Sequence, residues 1–129
     1  MGFVHALIKL SNDLRPDLDP VEVDALVDTG AINLCITEAV RDQLGLKTRR
    51  RRVVEMADGR TEEVDVVAPV TVRFENRETT TTAFVLGNEV LLGAIARQDM
   101  DVLVDPRNER LILPPDRPNF AFAKIKRYA

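Results

Sequence analysis

The sequence predicts an all-β class of fold, β-rich with one or two short helices, and three observations carry that expectation. The chain has 129 residues, enough for one ordinary domain with a single core. Sixteen Val, nine Thr and six Ile supply many β-branched side chains, which fit a pleated surface better than a helix, while aromatics are only 5%. Short apolar runs are cut at close intervals by turn residues, most clearly at Asp58-Gly59.

Residues 3–10 mix apolar and polar positions in a strand-like run, and residues 11–20, with two Pro and three Asp, form a loop. Val21, Val23 and Ala25 alternate with Glu22 and Asp24 before Leu26-Val27 turn fully apolar, as in a strand entering the core at its end. Asp28-Thr29-Gly30 follows as a turn. Thr37 stands as an N-cap, Glu38 occupies the first turn of a helix over residues 38–44, and Gly45 closes it. Residues 47–67 read as two strands joined by a two-residue turn at Asp58-Gly59. Residues 70–74 and 80–86 form a second pair, connected by polar residues 75–78. Residues 90–92 are a short buried strand ending at Gly93, and a two-turn helix spans residues 94–100. Residues 102–104 and 111–113 are strands around a turn at residues 105–108. The expected domain is residues 1–113, and residues 114–129 are a Pro-broken tail that is basic at Lys124, Lys126 and Arg127, with Phe120 and Phe122 alternating as in a strand.

A net charge of −3 argues against general affinity for nucleic acid. One cysteine, Cys35, and one histidine, His5, exclude an intrachain disulfide and a Cys/His zinc site within one chain, so no metal and no cofactor are expected. The first residues lack the pattern of a signal peptide and no apolar run approaches the length of a membrane helix, so a cytoplasmic setting without membrane attachment is the expectation. Arg49-Arg50-Arg51-Arg52 reads first as a solvated stretch, with a docking site for acidic substrates or nucleic acid as the alternative. Leu34 and Cys35 read as core, since no His lies near Cys35 in sequence to activate its thiol.

Asp28 is an acid placed directly behind buried apolar residues, with Gly30 two residues on. Leu91-Leu92-Gly93 echoes this arrangement of an apolar strand before a sharp turn and a helix. The stretch Leu26-Val27-Asp28-Thr29-Gly30-Ala31, the hairpin at Ala57-Asp58-Gly59, and Leu91-Leu92-Gly93 before a short helix together resemble the retropepsin-like aspartic proteases, over about residues 20–113.

That resemblance implies a closed acid-protease barrel with a flap hairpin, working as a homodimer. It makes Asp28, Thr29 and Gly30 the catalytic triplet. Substrate contacts are expected from Ala31 and Ile32, from Met56, Ala57, Asp58 and Gly59 at the flap, and from Leu92. A carboxylate mechanism needs two acids at one water, so two copies of Asp28 must meet and share a proton, one as base and one as acid. The expected partner is a peptide or protein substrate. Two departures stand out. Retroviral members commonly carry an acidic residue after Asp-Thr-Gly-Ala and an Arg after the second Gly; here those positions are Ile32 and Ala94, and an apolar contact is expected in place of the ion pair. The alternative function is a non-catalytic dimeric peptide-binding adaptor on the same fold, and a weaker one is a nucleic-acid module built on the Arg run and tail. A binder has no need of a costly buried carboxylate pair, which favours the enzyme.

Overall fold

A computed structural model describes residues 3–123 and 125, so the basic positions Lys124, Lys126 and Arg127 lie outside the described residues. Strand β1 (His5–Ser11) alternates strictly, sending Ala6, Ile8 and Leu10 into the core. It pairs antiparallel with β2 (Val21–Val27). The loop between them is anchored by the buried Asn12, which donates to the Leu44 carbonyl at 2.9 Å and accepts from the Leu14 amide. Strand β3 (Leu34–Ile36) was not foreseen as a strand, because three consecutive buried residues show no alternation. Its residues are core, as expected of Leu34 and Cys35.

Helix α1 (Glu38–Gln43) starts where its cap predicts: the Thr37 hydroxyl accepts from the Val40 amide at 3.2 Å. Gly45 follows with φ of 59°, the left-handed ending that glycine allows. Among the described residues, strand β4 (Lys47–Glu55) pairs only with β5 (Thr61–Phe74). Two expectations give way here. The hairpin loop holds three residues, not two: Met56 and Arg60 still pair, the Gly59 amide donates to the Met56 carbonyl, and only Gly59 has positive φ. Asp58 folds its carboxylate onto the Arg60 amide and guanidinium, which stabilises this wider turn. In addition, β5 is one strand of 14 residues, not two; Pro69, which has no N–H, falls at the register irregularity between Val67 and Val70.

Strand β6 (Arg77–Val85) begins three residues earlier than expected, because Glu75 takes φ of 53° and turns the chain within two residues. Strand β7 (Leu91–Leu92), helix α2 (Ala94–Met100) and the pair β8 (Leu103–Asp105) and β9 (Arg110–Ile112) complete the fold. The sheet order is β1-β2-β7-β3-β6-β5-β4, and β1 also pairs with β5. Six strands thus form a ring of hydrogen-bonded neighbours, and β4 stands outside it as an edge. The main core gathers Ile8, Leu10, Leu34, Ile36, Leu44, Leu92 and Met100 inside the ring, each worth about 1.5–3 kcal/mol of burial. A second cluster of Cys35, Val64, Val66 and Phe84 lies beneath the β4–β5 hairpin. No described helix is long and apolar enough to cross a membrane.

The segment after β9 folds back over Arg77, whose side chain is wholly buried. Arg77 donates to the Arg117 carbonyl and to Asn76, and lies 3.7 Å from Asp101. Arg117 forks onto Asp101 at 2.7 and 2.8 Å, and the Phe122 amide donates to the same carboxylate at 2.9 Å. Phe120 and Phe122 stack at 5.2 Å and do not form a strand.

The Arg117 guanidinium and the Phe122 amide hold the Asp101 carboxyl well below the usual carboxylate range. A depressed acid stabilises the fold above its unfolded value, near 3.9, and that contribution fades as pH falls through the folded value. The tail should therefore stay docked through neutral and mildly acidic pH and loosen only in strong acid. Asp101→Asn is expected to speed amide exchange at Phe122 at neutral pH while leaving β1 and β5 unchanged; equal exchange in both proteins would show that the tail is held by other contacts.

Candidate active site

The short strand β7 enters between β2 and β3, parallel to the first (Leu26 against Leu91, Val27 against Leu92) and antiparallel to the second (Cys35 against Leu91). The two apolar dipeptides that echo each other in sequence are therefore neighbours. Main-chain bonds extend this pairing past both strand ends. Asp28 donates its amide to the Leu92 carbonyl at 3.2 Å, and the Ala94 and Ile95 amides donate to the Ala31 and Ile32 carbonyls at 3.0 Å.

Asp28 sits half-buried at the head of this loop. One carboxylate oxygen accepts from the Gly30 amide at 2.9 Å, and the Ala31 amide closes a turn onto the Asp28 carbonyl. The carboxylate is thereby oriented by its own loop. Gly30 has no positive φ, and a Cβ there would meet only the Asp28 carboxylate at 3.4 Å, so its lack of a side chain keeps the space above the acid open. Gly93 is different: a Cβ would lie 2.5 Å from the Asn33 carbonyl oxygen and 2.7 Å from Ile32 main-chain atoms. The close approach of the two segments depends on glycine at that position.

A cleft of about 680 Å³ opens over Asp28, floored by Gly30, Ala31, Ile32 and Asn33 and roofed by Val54 to Ala57 and Gly59 of the hairpin. The structure thus gathers Asp28, Gly30, Ala31, Ile32, Met56, Ala57 and Gly59 around one space. Thr29 is exposed beside the cleft, Asp58 is turned toward Arg60, and Leu92 is fully buried behind the loop, where it offers its carbonyl and not its side chain. The cleft wall adds Cys35, Phe84, Leu86 and Leu91, which sequence reading did not place there. Cys35, Phe84 and Leu91 sit on strands far apart in the chain, and only the sheet register brings them together: Val66 lies against Phe84, Phe84 against Cys35 and Cys35 against Leu91. Burial, reinforced by the Asp28 charge, pushes the Cys35 thiol up, so it faces the cleft as a small apolar group and not as a nucleophile.

The segments around Ile32 and Ala94, neither of which is charged, are joined by main chain through the Ala31–Ala94 and Ile32–Ile95 hydrogen bonds. Within one chain Ile32 is 65% exposed, so no apolar contact takes the place of an ion pair there.

A β-rich ring with an Asp-Thr-Gly loop locked by a second apolar-Gly segment, and with a hairpin over the carboxylate, defines the retropepsin-like class. The family described as gag-polyprotein putative aspartyl protease matches residues 17–96, more than half of the chain, and the chain belongs to that family. Among solved structures, the chain is similar to the EIAV protease complexed with the inhibitor HBY-793, at 22% identity and a TM-score of 0.58, over 76% of this chain and 88% of that one. It is similar as well to the retroviral protease-like domain of Ddi1 from Leishmania major, at 18% identity and a TM-score of 0.58, over 94% of this chain and 95% of that one. No curated protein matches.

The packing at Gly93 sets a direct test of how the loop is held. Gly93→Ala should force the loop of residues 31–33 away and lower stability by about 1–3 kcal/mol, the usual cost of overpacking a tight site. Gly59→Ala, with nothing within 4 Å but a φ of 87°, should cost less than Gly93→Ala and act only on the hairpin. Chemical denaturation of both variants checks the order, and a smaller loss for Gly93→Ala would contradict the interlock.

Proposed function

We propose that this chain is one half of a homodimeric aspartic endopeptidase. The carrying observation is the single oriented Asp28 carboxylate on the floor of a hairpin-roofed cleft. The exposure of Thr29 and Ile32 directly beside it supports a second copy docking there, since a peptide-cleaving carboxylate site needs two acids. In this reading the two Asp28 carboxylates share one proton. The charged one takes a proton from water as the water oxygen bonds to the scissile carbonyl carbon, and the other protonates the carbonyl oxygen. The tetrahedral intermediate then collapses: the carboxyl protonated in the first step gives its proton to the nitrogen, the other carboxylate takes a hydroxyl proton, the C–N bond breaks, and the dyad returns to its singly protonated state. Thr29 is assigned to contacts between the paired loops. Ala31 and Ile32, with Met56, Ala57, Asp58 and Gly59 of the hairpin, are assigned to substrate, with Leu92 backing the loop. The ring of strands supports the closed barrel, and a cytoplasmic setting belongs to the same proposal, where the reduced Cys35 thiol in the cleft wall persists.

Purified protein incubated with a mixed peptide library, beside Asp28→Asn, tests the chemistry. Sequence-specific cuts by the native protein and none by the variant are expected, with light scattering at about twice the chain mass. Peptide binding without cutting would return the chain to the adaptor reading, and an active monomer would remove the shared-proton mechanism.

The hairpin roof supplies a second test. Its tip is exposed and touches little, so it should move as a unit and close over bound peptide. Amide exchange over residues 53–64 is expected to slow when a peptide-mimicking inhibitor binds. Protection elsewhere with none in the hairpin would count against its role as a flap.

A further inference from the structure

Strand β4 carries four consecutive arginines along the edge of the large sheet that lies outside the ring. Their positions are not equivalent. Arg51 stands opposite Asp65 and its guanidinium lies 3.3 Å from both Asp65 and Glu63, so its charge is matched within the sheet. Arg49 falls at the register irregularity between Thr48 and Arg50. Arg50 and Arg52 are exposed and form no ion pair among the described residues.

The register shows which face Arg50 and Arg52 share. Arg52 is opposite Val64 and Arg50 is opposite Val66, both buried in the cluster under the hairpin. Val66 is opposite Phe84, Phe84 opposite Cys35 and Cys35 opposite Leu91, and those last three residues line the cleft. Directly opposed residues in a sheet project to the same side, so Arg50 ends a lateral row that crosses five strands on the cleft face. Val54, two residues past Arg52 on the same face of β4, lines the cleft itself. Val54, Arg52 and Arg50 therefore form a file leading out of the cleft, with steps of about 7 Å, the two-residue repeat of any extended chain.

We infer that Arg52 and Arg50 read carboxylates at alternate positions of the substrate segment that continues beyond the cleft along β4. The inference rests on the reading of the cleft as a peptide site. A peptide in extended form presents every second side chain to one face, and the free edge of β4 offers unpaired main-chain groups alongside. Two exposed guanidiniums at that spacing, with no ion-pair partner among the described residues, match an acidic-X-acidic sequence. Charge on an edge also guards against sheet-to-sheet pairing, but that purpose is indifferent to which face carries it.

The test takes a peptide that the native protein selects from the mixed library, by cutting or by binding, and extends it at either end with Glu-Ser-Glu, Lys-Ser-Lys or Ser-Ser-Ser. At low salt the acidic extension at one end should raise kcat/KM about fivefold over the neutral one, through KM, as two exposed ion pairs allow, and high salt should erase the gain. Arg50→Glu/Arg52→Glu should reverse the preference toward Lys-Ser-Lys, whereas Arg49→Glu should keep it. The same peptides titrated against Asp28→Asn by fluorescence anisotropy read the preference without cleavage. Acidic preference in binding with no cutting by the native protein would defeat the proposed activity and leave this inference standing. Equal values for all three extensions would overturn the inference and leave the activity standing. An equal loss in Arg49→Glu, or binding of a single-stranded oligothymidylate that Arg50→Glu/Arg52→Glu abolishes without any acidic preference, would overturn it as well.

Discussion

A strand of two residues holds the two halves of the site together. Leu91 and Leu92 of β7 bond β2 on one side and β3 on the other, and the chain on both sides of them continues the pairing: Leu26 donates to Val90, Asp28 to Leu92, Ala94 to Ala31 and Ile95 to Ile32. Each such bond contributes only about 1 kcal/mol on balance. Together they fix the backbone before and after Gly30, so the direction of the Asp28 carboxylate is set by a ladder and not by a free loop. The approach that makes the ladder possible exists because Gly93 presents no side chain to Ile32 and Asn33. Helix α2 starts at the next residue and buries Ala96 and Met100, which ties the loop to the core.

Rigidity ends at β4. The ring closes through β1 and β5, leaving β4 with one neighbour and almost no buried surface. Floor and roof of the cleft therefore differ in kind: the floor is interlocked main chain above the core, and the roof is a two-stranded extension anchored through Val64 and Val66. Segments with few buried contacts open at lower free energy than the core, and the hairpin is built from such a segment. In the proposed function the cleft admits a peptide and then encloses it, and that contrast between floor and roof would serve it.

What was legible in the sequence was what local chemistry decides. Thr37, Glu38 and Gly45 announce α1 because caps and positive φ are local requirements. Asp28-Thr29-Gly30 and Leu91-Leu92-Gly93 were visible as strand ends, and the resemblance joined them. Features decided by distant partners were not. Strand β3 has no alternation because both its faces are covered, and residues 75–78 read as a polar connection although Arg77 is buried by a tail arriving 40 residues later. Asp58-Gly59 suggested the shortest turn, yet the Asp58 carboxylate prefers its bonds to Arg60, which widen it. The cleft wall of Cys35, Phe84 and Leu91 is a row across the sheet, and no spacing along the chain encodes such a row.

The absence of charge at Ile32 and Ala94 has a physical consequence for the site. A partly buried ion pair must recover a desolvation cost and loses strength when either partner titrates, whereas the Ala31–Ala94 and Ile32–Ile95 bonds carry no net charge. The pairing of these two segments is thus held by groups that neither titrate nor carry net charge. In exchange the surface beside Asp28 presents Ile32, an apolar side chain that water covers unfavourably in a single chain. In the proposed dimer, burying that side chain would supply hydrophobic association in place of charge pairing. It would also remove water from around the two carboxylates, lowering the local dielectric where their shared proton must be held. Assembly and proton sharing would then rest on the same apolar contact, which makes the loss of the charged pair a coherent variation on the site and not a defect in it.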